Sequence, residues 1–424
     1  MMNPRATLIL IALWLVATAA TGTEEAANRG PLSATVLEFG GVDTLFVADS
    51  DGGQLFAYSM PKRANVHSPT DSKAFNLEGF SNEIAAHLKV DPRALRYHDL
   101  AVHPVTQDAY VSLTVKSGGS GASQGKAPAV LKVTHQGDIS SFDLTQSSRS
   151  TFQLVDTARD KVTFWRDLPA STFAVTDLDF VDGQLYVSGL STGEFASTLR
   201  VVPFPFDEKA TASTIEMYHA AHNQNETRAP IRAMAVVDLD GKKTVVAAYT
   251  CTPLVTIPVT ALEDGKKVTG KTVAELGYGN TPLEVVSYRA YNMKREPEDF
   301  VLVINREMAA DLIKLEDLAS ASKAKGLATP VGLGSTSGVA TTPLPMSGVL
   351  QAADQDAQFL LTLRRNLDTG DMDLVSYRKG AYMRISDFVS EYNFPDYQYS
   401  EESEGIKQFQ NMLKRDEGYP ERVR

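Results

Sequence analysis

The chain has little cysteine, no excess of basic charge and few long apolar runs. Its single cysteine, Cys251, rules out an intramolecular disulfide, so buried side chains must stabilise the fold. A chain of 424 residues is long enough to form such a core. The net charge of −11 disfavours binding to nucleic acid or to an anionic membrane surface. The composition therefore indicates an acidic globular protein whose partners are not nucleic acids.

One apolar run stands at the beginning of the chain. It spans Leu8–Val16, follows the basic Arg5, and is followed by the small-residue sequence Ala17-Thr18-Ala19. This order predicts a secretory signal peptide over residues 1–19. The run is shorter than the roughly 20 residues that a membrane span needs, although an uncleaved anchor is the alternative interpretation. We expect a secreted or periplasmic protein with no membrane span in the mature chain.

Strand signals are frequent along the rest of the chain, and helix signals are few. The segment GVDTLFVADSDGGQLFAYSM at 41–60 contains two short β runs joined by an Asp-Gly turn, which is a strong hairpin signal. The pattern recurs five times, and a third strand and usually a polar fourth strand follow each hairpin. The inner strands of these units are predicted to begin near six residues: Ala34, Asp99, Asp177, Arg232, Leu283 and Val349.

Four-stranded units that recur without a linker between them are typical of a β-propeller. We predict an all-β propeller over residues 31–390, with six blades of four antiparallel strands. The connection at 145–172 leaves room for a seventh blade, and two β-sandwiches are the disfavoured alternative. Closure of the ring requires a strand from one end to complete a blade begun by the other. A helix with Ser81 as its cap and a polar tail at 391–424 with a short helix complete the prediction.

The segment MYHAAHNQNETRAPIR at 217–232 contains an H-x-x-H-x-x-x-E pattern. It falls between the last strand of blade 3 and the first strand of blade 4, and supplies His219, His222 and Glu226. Cys251 follows in a turn that should share this face of the propeller. Imidazole, carboxylate and thiolate groups bind Zn²⁺, Cu²⁺ and Fe²⁺, so we predict a transition metal as the cofactor. The alternative is a solvated loop that binds nothing.

The same face should carry five further polar residues, each near the end of a strand. His98 and Asp99 begin blade 2, Asp177 begins blade 3, Arg232 begins blade 4, and Arg306 follows a strand of blade 5. Arginine binds carboxylate and phosphate groups through paired hydrogen bonds. These five residues therefore predict a site for a small ligand with an anionic group. In the alternative interpretation the arginines form inter-blade ion pairs with Asp99 or Asp177.

Two families of propellers resemble parts of this sequence. The Tyr97-His98 pair and the run from Tyr249 to Cys251 resemble copper radical oxidases of the galactose-oxidase type. That resemblance implies a cysteine cross-linked to a tyrosine, and copper held by tyrosine and histidine. The six-blade layout is similar to that of soluble quinoprotein sugar dehydrogenases, which implies a histidine base and arginines around a quinone cofactor.

We therefore expect an exported binding protein with a pocket on one face for a small molecule or a metal ion. One alternative is a metal- or quinone-dependent oxidoreductase that uses His219 or His222 as its base. Another is a scaffold whose partner is a protein. The sequence contains no G-x-S-x-G motif and no phosphate-binding loop, which disfavours a serine hydrolase and a nucleotide-dependent enzyme.

Overall fold

The computed structural model describes most of the chain after residue 29. The described ranges are 30–61, 72–117, 125–145, 149–157, 163–164, 168–192, 196–292, 294–332, 334–346, 348–388 and 404–419. The predicted signal peptide at residues 1–19 lies outside them, as does the first part of the predicted tail. The domain limits of 31 and 390 stay a prediction. Within the described ranges, no helix is both long and apolar enough to cross a membrane.

Six antiparallel four-stranded sheets form the blades of a propeller, which confirms the predicted fold. Blade 1 contains β1 (Val36–Phe39), β2 (Thr44–Asp49), β3 (Gln54–Ser59) and β9 (Arg149–Gln153). Blade 2 contains β5 (Leu95–Val102), β6 (Ala109–Lys116), β7 (Lys126–Val133) and β8 (Ile139–Phe142). Blade 3 contains β12 (Asp177–Val181), β13 (Gln184–Leu190), β14 (Ser197–Pro203) and β15 (Thr211–His219).

The second half of the ring is built in the same way. Blade 4 contains β17 (Ile231–Leu239), β18 (Lys242–Tyr249), β19 (Pro253–Pro258) and β21 (Lys271–Glu275). Blade 5 contains β22 (Pro282–Tyr291), β23 (Pro297–Asn305), β24 (Ala310–Lys314) and β26 (Thr342–Leu344). Blade 6 contains β27 (Val349–Asp354), β28 (Phe359–Arg365), β29 (Met372–Arg378) and β4 (Asn76–Leu77).

The remaining elements are short and connect or extend the blades. Strand β10 (Thr163–Phe164) pairs with β11 (Leu168–Pro169), β16 (Gln224–Glu226) and β20 (Lys267–Thr269) extend blade 3, and β25 (Ser337–Gly338) extends blade 4. The α-helices are α1 (Phe80–Leu88), α2 (Leu315–Lys323) and α3 (Glu404–Asn411), and a π-helical turn (Met412–Asp416) continues α3. Short 3₁₀ segments span Pro92–Ala94, Ala170–Phe173, Val259–Ala261 and Ile385–Asp387.

Hydrophobic clusters lie between neighbouring blades and determine their order around the ring. One cluster joins blades 1 and 2, another joins blades 1 and 3, and a third joins blades 2 and 6. Three more join blades 3 and 4, 4 and 5, and 5 and 6. The order around the ring is therefore 2, 1, 3, 4, 5, 6. Because both faces of each sheet are covered, central strands such as β18 have long apolar runs.

Two strands are exchanged where the ring closes, and this is why the ring order differs from the chain order. After β3 the chain supplies β4 to blade 6, builds blade 2, and returns as β9 to complete blade 1. Leu77 pairs with Leu374, and Leu55 pairs with Phe152. We predicted that a strand from one end of the chain completes a blade begun by the other end. This is confirmed, because the early strand β4 completes blade 6. The connection at 145–172 supplies β9 and the β10–β11 hairpin, and its described residues form no seventh blade.

The predicted first helix exists, but its predicted cap is wrong. The residue before α1 is Gly79 at φ 65°, a conformation that glycine adopts without strain. Ser81 lies inside the helix, where its hydroxyl accepts a 3.1 Å hydrogen bond from the backbone N–H of Met372. Its side chain is therefore used to bind blade 6 rather than to cap the helix.

Residues 412–419 pack against blade 6, and we call them the C-terminal clasp. Asp416 accepts a 2.9 Å hydrogen bond from Arg378 of β29. The buried guanidinium of Arg384 donates to Asn76 of β4 at 2.6 Å and contacts the ring of Tyr419. Tyr419 in turn donates to the carboxylate of Glu78. The clasp thus covers the blade that contains the exchanged strand β4.

Candidate functional site

Three of the four predicted metal ligands, His219, His222 and Glu226, lie on a β-hairpin that extends the outer edge of blade 3. Strand β15 ends at His219, and β16 returns with Met217 opposite Glu226 and His219 opposite Gln224. Opposed residues and residues two positions apart share one face of a strand pair. The sequence spacing therefore places the side chains of His219 and Glu226 on the same face of the hairpin.

One carboxylate binds both histidines. Glu226 Oε2 lies 3.0 Å from His219 Nδ1, and Glu226 Oε1 lies 2.6 Å from His222 Nδ1. His222 is in the turn, and its ring lies over that of His219 with the centroids 3.7 Å apart. Burial acts to raise the pKa of Glu226, but hydrogen bonds from Gln224, His219 and His222 outweigh it and lower that pKa. Potential ligand atoms of His219, His222 and Glu226 all lie within 4.8 Å of one another.

Two buried polar groups, the imidazole of His219 and the carboxylate of Glu275, lie at this cluster. His219 is 1% exposed, and its Nε2 atom forms no hydrogen bond. Glu275, at the end of β21, is equally buried, and its Oε1 accepts a 2.5 Å hydrogen bond from Thr252. Burial raises the pKa of Glu275, and the charges of His219 and His222 act in the opposite direction. Glu275 therefore lies close enough to both histidines to interact with them.

Cys251 lies beside the cluster in a strained turn. Burial raises the pKa of its thiol, and so do the negative charges of Glu226 and Glu275. Cys251 and Thr252 have φ values of 65° and 89°, which are unfavourable for side chains larger than that of glycine, above all for β-branched threonine. This backbone directs the Thr252 hydroxyl to Glu275. The strain is thus localised beside the histidine cluster.

A second site lies in the central channel. A cavity of about 490 Å³ opens on the side of the ring where the inner strands begin. It is lined by His98, Asp99, Asp177 and Arg232, four of the five predicted ligand-binding residues. A second cavity lies further along the channel, and Asp99, Asp177 and Glu284 line both. These three carboxylates form the waist of the channel.

The register of the inner strands positions residues at the mouth of this cavity. The ladders of four inner strands contain an irregularity that leaves one residue without an opposed partner: His98, Arg232, Leu283 and Leu350. All four residues line the cavity. A β-bulge redirects a side chain in this way and is common beside binding sites. His98 forms a 2.7 Å hydrogen bond with Thr114, and burial lowers its pKa to about 4.

Two of the three waist carboxylates, those of Asp99 and Asp177, also connect neighbouring blades. Asp177 accepts a 2.6 Å hydrogen bond from the backbone N–H of Met234 and a 2.8 Å bond from that of Leu178. Burial and the nearby Asp99 raise the pKa of Asp177, and burial alone raises that of Asp99 to about 6. Burial together with Asp177 and Asp99 raises the pKa of Glu284. The waist therefore binds protons more tightly than exposed carboxyls do.

The structure divides the predicted site residues into two groups. His219, His222 and Glu226 form the outer cluster, with Cys251 beside it. His98, Asp99, Asp177 and Arg232 line the central cavity. Arg306 does neither: its exposed side chain pairs with Glu307 at 3.3 Å. The ion pairs of the arginines with Asp99 or Asp177, which were the alternative interpretation, do not occur between these described residues.

Sequence reasoning missed several residues of both sites. Glu275 belongs to another blade and lies far from the H-x-x-H pattern in sequence. Arg96, Lys116 and Lys126 line the central cavity, although in sequence they are ordinary charged residues at strand ends. A usable signal existed for the two lysines, since they flank the loop of the hairpin β6–β7 and must therefore face each other.

No protein-family model and no curated protein matches the sequence. Among solved structures, the chain is similar to the first two extracellular domains of Drosophila semaphorin 1b, with 8% identity over 84% of this chain and 86% of the other, at a TM-score of 0.32. It is similar to Trypanosoma rangeli sialidase, with 9% identity over 84% of this chain and 56% of the other, at 0.34. A glucose dehydrogenase is 13% identical over 83% of this chain and 98% of the other, at 0.26. Similarity at this level assigns neither a family nor an activity.

Proposed function

We propose that the protein is an exported β-propeller that binds a first-row transition metal ion, Zn²⁺ or Cu²⁺, through His219, His222 and Glu226. The observation that carries the proposal is one carboxylate shared by two imidazoles, at 3.0 and 2.6 Å, beside a buried imidazole nitrogen without a partner. One ligand atom from each of the three residues lies within 4.8 Å of the others, so a metal ion bound between them would replace the hydrogens that the imidazoles share with the carboxylate. The export part of the proposal depends on the signal peptide predicted over residues 1–19.

The set of donors suits borderline metals rather than Ca²⁺ or Mg²⁺, which prefer oxygen alone. Two imidazoles and a carboxylate are a common set of three protein ligands for Zn²⁺. Glu275, whose carboxylate interacts electrostatically with both histidines, would add a further negative charge near the ion. A bound cation would also offset the negative charges of Glu226 and Glu275 beside Cys251. The oxidoreductase and scaffold interpretations stay predictions from the sequence.

Metal analysis of the purified protein tests this proposal. The wild-type protein, loaded with Zn²⁺ or Cu²⁺ and dialysed, should retain about one ion per chain, and the His219→Ala/His222→Ala variant should retain none. His87→Ala is the matched control, because His87 is exposed on α1 and should not affect retention. Circular dichroism checks that the strands of the double variant stay folded.

Glu275→Gln separates two roles for this residue. If Glu275 is a ligand, the glutamine variant should bind the metal more weakly than the wild-type protein does, while the number of ions bound stays the same. Retention of the ion by the double histidine variant, or no retention by the folded wild-type protein, would contradict the proposed function.

A further inference from the structure

Two lysines face each other at the mouth of the central cavity. Lys116 ends β6 and Lys126 begins β7, and the two are directly opposed in the ladder. Like charges in opposed positions destabilise a strand pair. Neither lysine forms an ion pair with a described residue, although the chain has an excess of acidic groups. The arrangement concentrates positive charge where the fold itself does not need it.

Arg232 adds a guanidinium that is largely withdrawn from water. It lines the same cavity, its Nε atom is buried, and that atom has no hydrogen-bond partner. The group lies over the ring of Phe173, 5.3 Å from the centroid, and forms no ion pair with a described carboxylate. Burial lowers its pKa, and the charge of Arg306 lowers it further. A buried cation without a counter-ion has an unfavourable desolvation free energy, so a bound anion would stabilise the guanidinium of Arg232.

Other donors line the cavity beside these three cations. Arg96 is exposed and forms no ion pair with a described residue. The carboxyls of Asp99, Asp177 and Glu284 lie below, but their raised pKa values favour the protonated, uncharged form as the pH falls. The mouth of the cavity thus holds four basic side chains beside one exposed carboxylate, that of Asp51.

The walls restrict the ligand to a small molecule. A volume of about 490 Å³ lies in the range of pockets for small ligands. Several apolar side chains also line it, among them Leu168, Pro169, Leu283 and Leu350. Arg96, Lys116 and Lys126 belong to blade 2 and Arg232 to blade 4, so two blades can each bind a separate anionic group. A compact ligand with two or more such groups would use all of them.

We propose that the central cavity binds a small polyanionic molecule, a di- or tricarboxylate or a phosphate ester, through Lys116, Lys126, Arg232 and Arg96. This site is separate from the proposed metal cluster, and its ligand does not depend on the metal. Carboxylates and phosphates share the chemistry that these residues recognise. The test therefore uses one probe of each kind.

Calorimetric titration of the full mature chain with citrate and with inorganic phosphate tests the proposal. The protein is first treated with a chelator and dialysed, because either probe would also bind a metal. We expect saturable binding of at least one probe with a Kd below about 1 mM, weakened by added salt. Binding of citrate alone identifies a carboxylate ligand, and binding of phosphate alone identifies a phosphate ester. Absence of binding by both overturns the proposal.

Three variants locate the site. Lys116→Gln/Lys126→Gln and, separately, Arg232→Gln should each weaken binding of the probe by about tenfold or more. The control is Lys242→Gln, since Lys242 is exposed at the β17–β18 turn of blade 4 and lines neither cavity of the channel. If Arg232→Gln fails to fold, the lysine variant still decides, because both lysines are exposed. Equal affinity in the lysine variant and the control would overturn the proposal.

Discussion

The carboxylate of Asp99 in blade 2 accepts a 2.6 Å hydrogen bond from the backbone N–H of Leu37 in blade 1. Asp177 forms the same kind of bond from blade 3 to Met234 of blade 4, and Asp179 bonds Val236. Carboxylates of the inner strands therefore join neighbouring blades at the wall of the channel. Because they face a narrow channel, they are also buried close to one another, and this proximity makes the stability of the ring depend on pH.

We expect the protein to become more stable as the pH falls from 8 to 6.5. Burial raises the pKa of Asp99 and of Asp179 to about 6, and it raises those of Glu38, Asp177 and Glu284 as well. A raised folded-state pKa contributes stability that is present at low pH and is lost as the pH rises through it. The midpoint of thermal unfolding should therefore be higher at pH 6.5 than at pH 8, measured at constant ionic strength.

The range stops at pH 6.5 because His98 acts in the opposite direction. Burial lowers the pKa of His98 to about 4, so its contribution is present above its ordinary value of 6.5 and is lost as the pH falls towards 4. A midpoint that is unchanged or lower at pH 6.5 than at pH 8 would contradict the predicted effect of the channel carboxyls.

Glu284→Gln should stabilise the protein at pH 8. Glutamine keeps the size of the side chain and an oxygen that can accept the 3.0 Å hydrogen bond from the backbone N–H of Val285. It removes a buried charge next to Asp177 and Asp99. The unfolding midpoint should rise by a few degrees at pH 8, and its change between pH 8 and 6.5 should become smaller.

Glu83→Gln is the matched control for that variant. Glu83 is exposed on α1, so its replacement should leave both the midpoint and its pH dependence unchanged. If Glu284→Gln lowered the midpoint at pH 8, the carboxylate would be stabilising the channel, and the assigned cause of the pH dependence would be wrong.

The mature chain should begin near Ala20 and should be recovered in the exported soluble fraction. The basic residue, the short apolar run and the small-residue cleavage sequence at 1–19 are the reasons for this expectation. Intact-mass measurement on protein from the native host checks it. A mass that includes residue 1, in protein from a membrane fraction, would contradict both cleavage and the proposed location.

Hairpins could be predicted from the sequence because their signals are local. The Asp-Gly turn at 51–52 and the alternation on either side of it specify β2 and β3 without any other part of the chain. Strand β4 has only two residues and depends on β29, to which it pairs from far away in sequence. The ring order could not be predicted for the same reason, since it depends on which apolar faces meet.

Site residues, too, could be predicted from the sequence only where a local pattern holds them together. His219, His222 and Glu226 could be predicted as a group because a single hairpin holds all three. Glu275 lies near them only because blade 4 packs against blade 3, and no short sequence pattern predicts that proximity. Arg306 was predicted from its residue type and its place at a strand end, but its side chain turns outward to Glu307. Position on a face predicts proximity, whereas the direction of a side chain depends on packing.

The exchange of β4 and β9 also determines when the protein can fold during synthesis. Gly79, just after β4, donates a hydrogen bond to Asp373, which lies 294 positions later in the chain. Strand β3 likewise cannot pair until β9 has been synthesised. The side chain of Gln54 donates a hydrogen bond to that of Gln153, 99 residues later in the chain. A growing chain thus has unpaired strand edges until the ribosome has made the last blade. The propeller can therefore close only after the chain has been synthesised beyond Asp373, so cotranslational export under the predicted signal peptide would begin while the ring is still open.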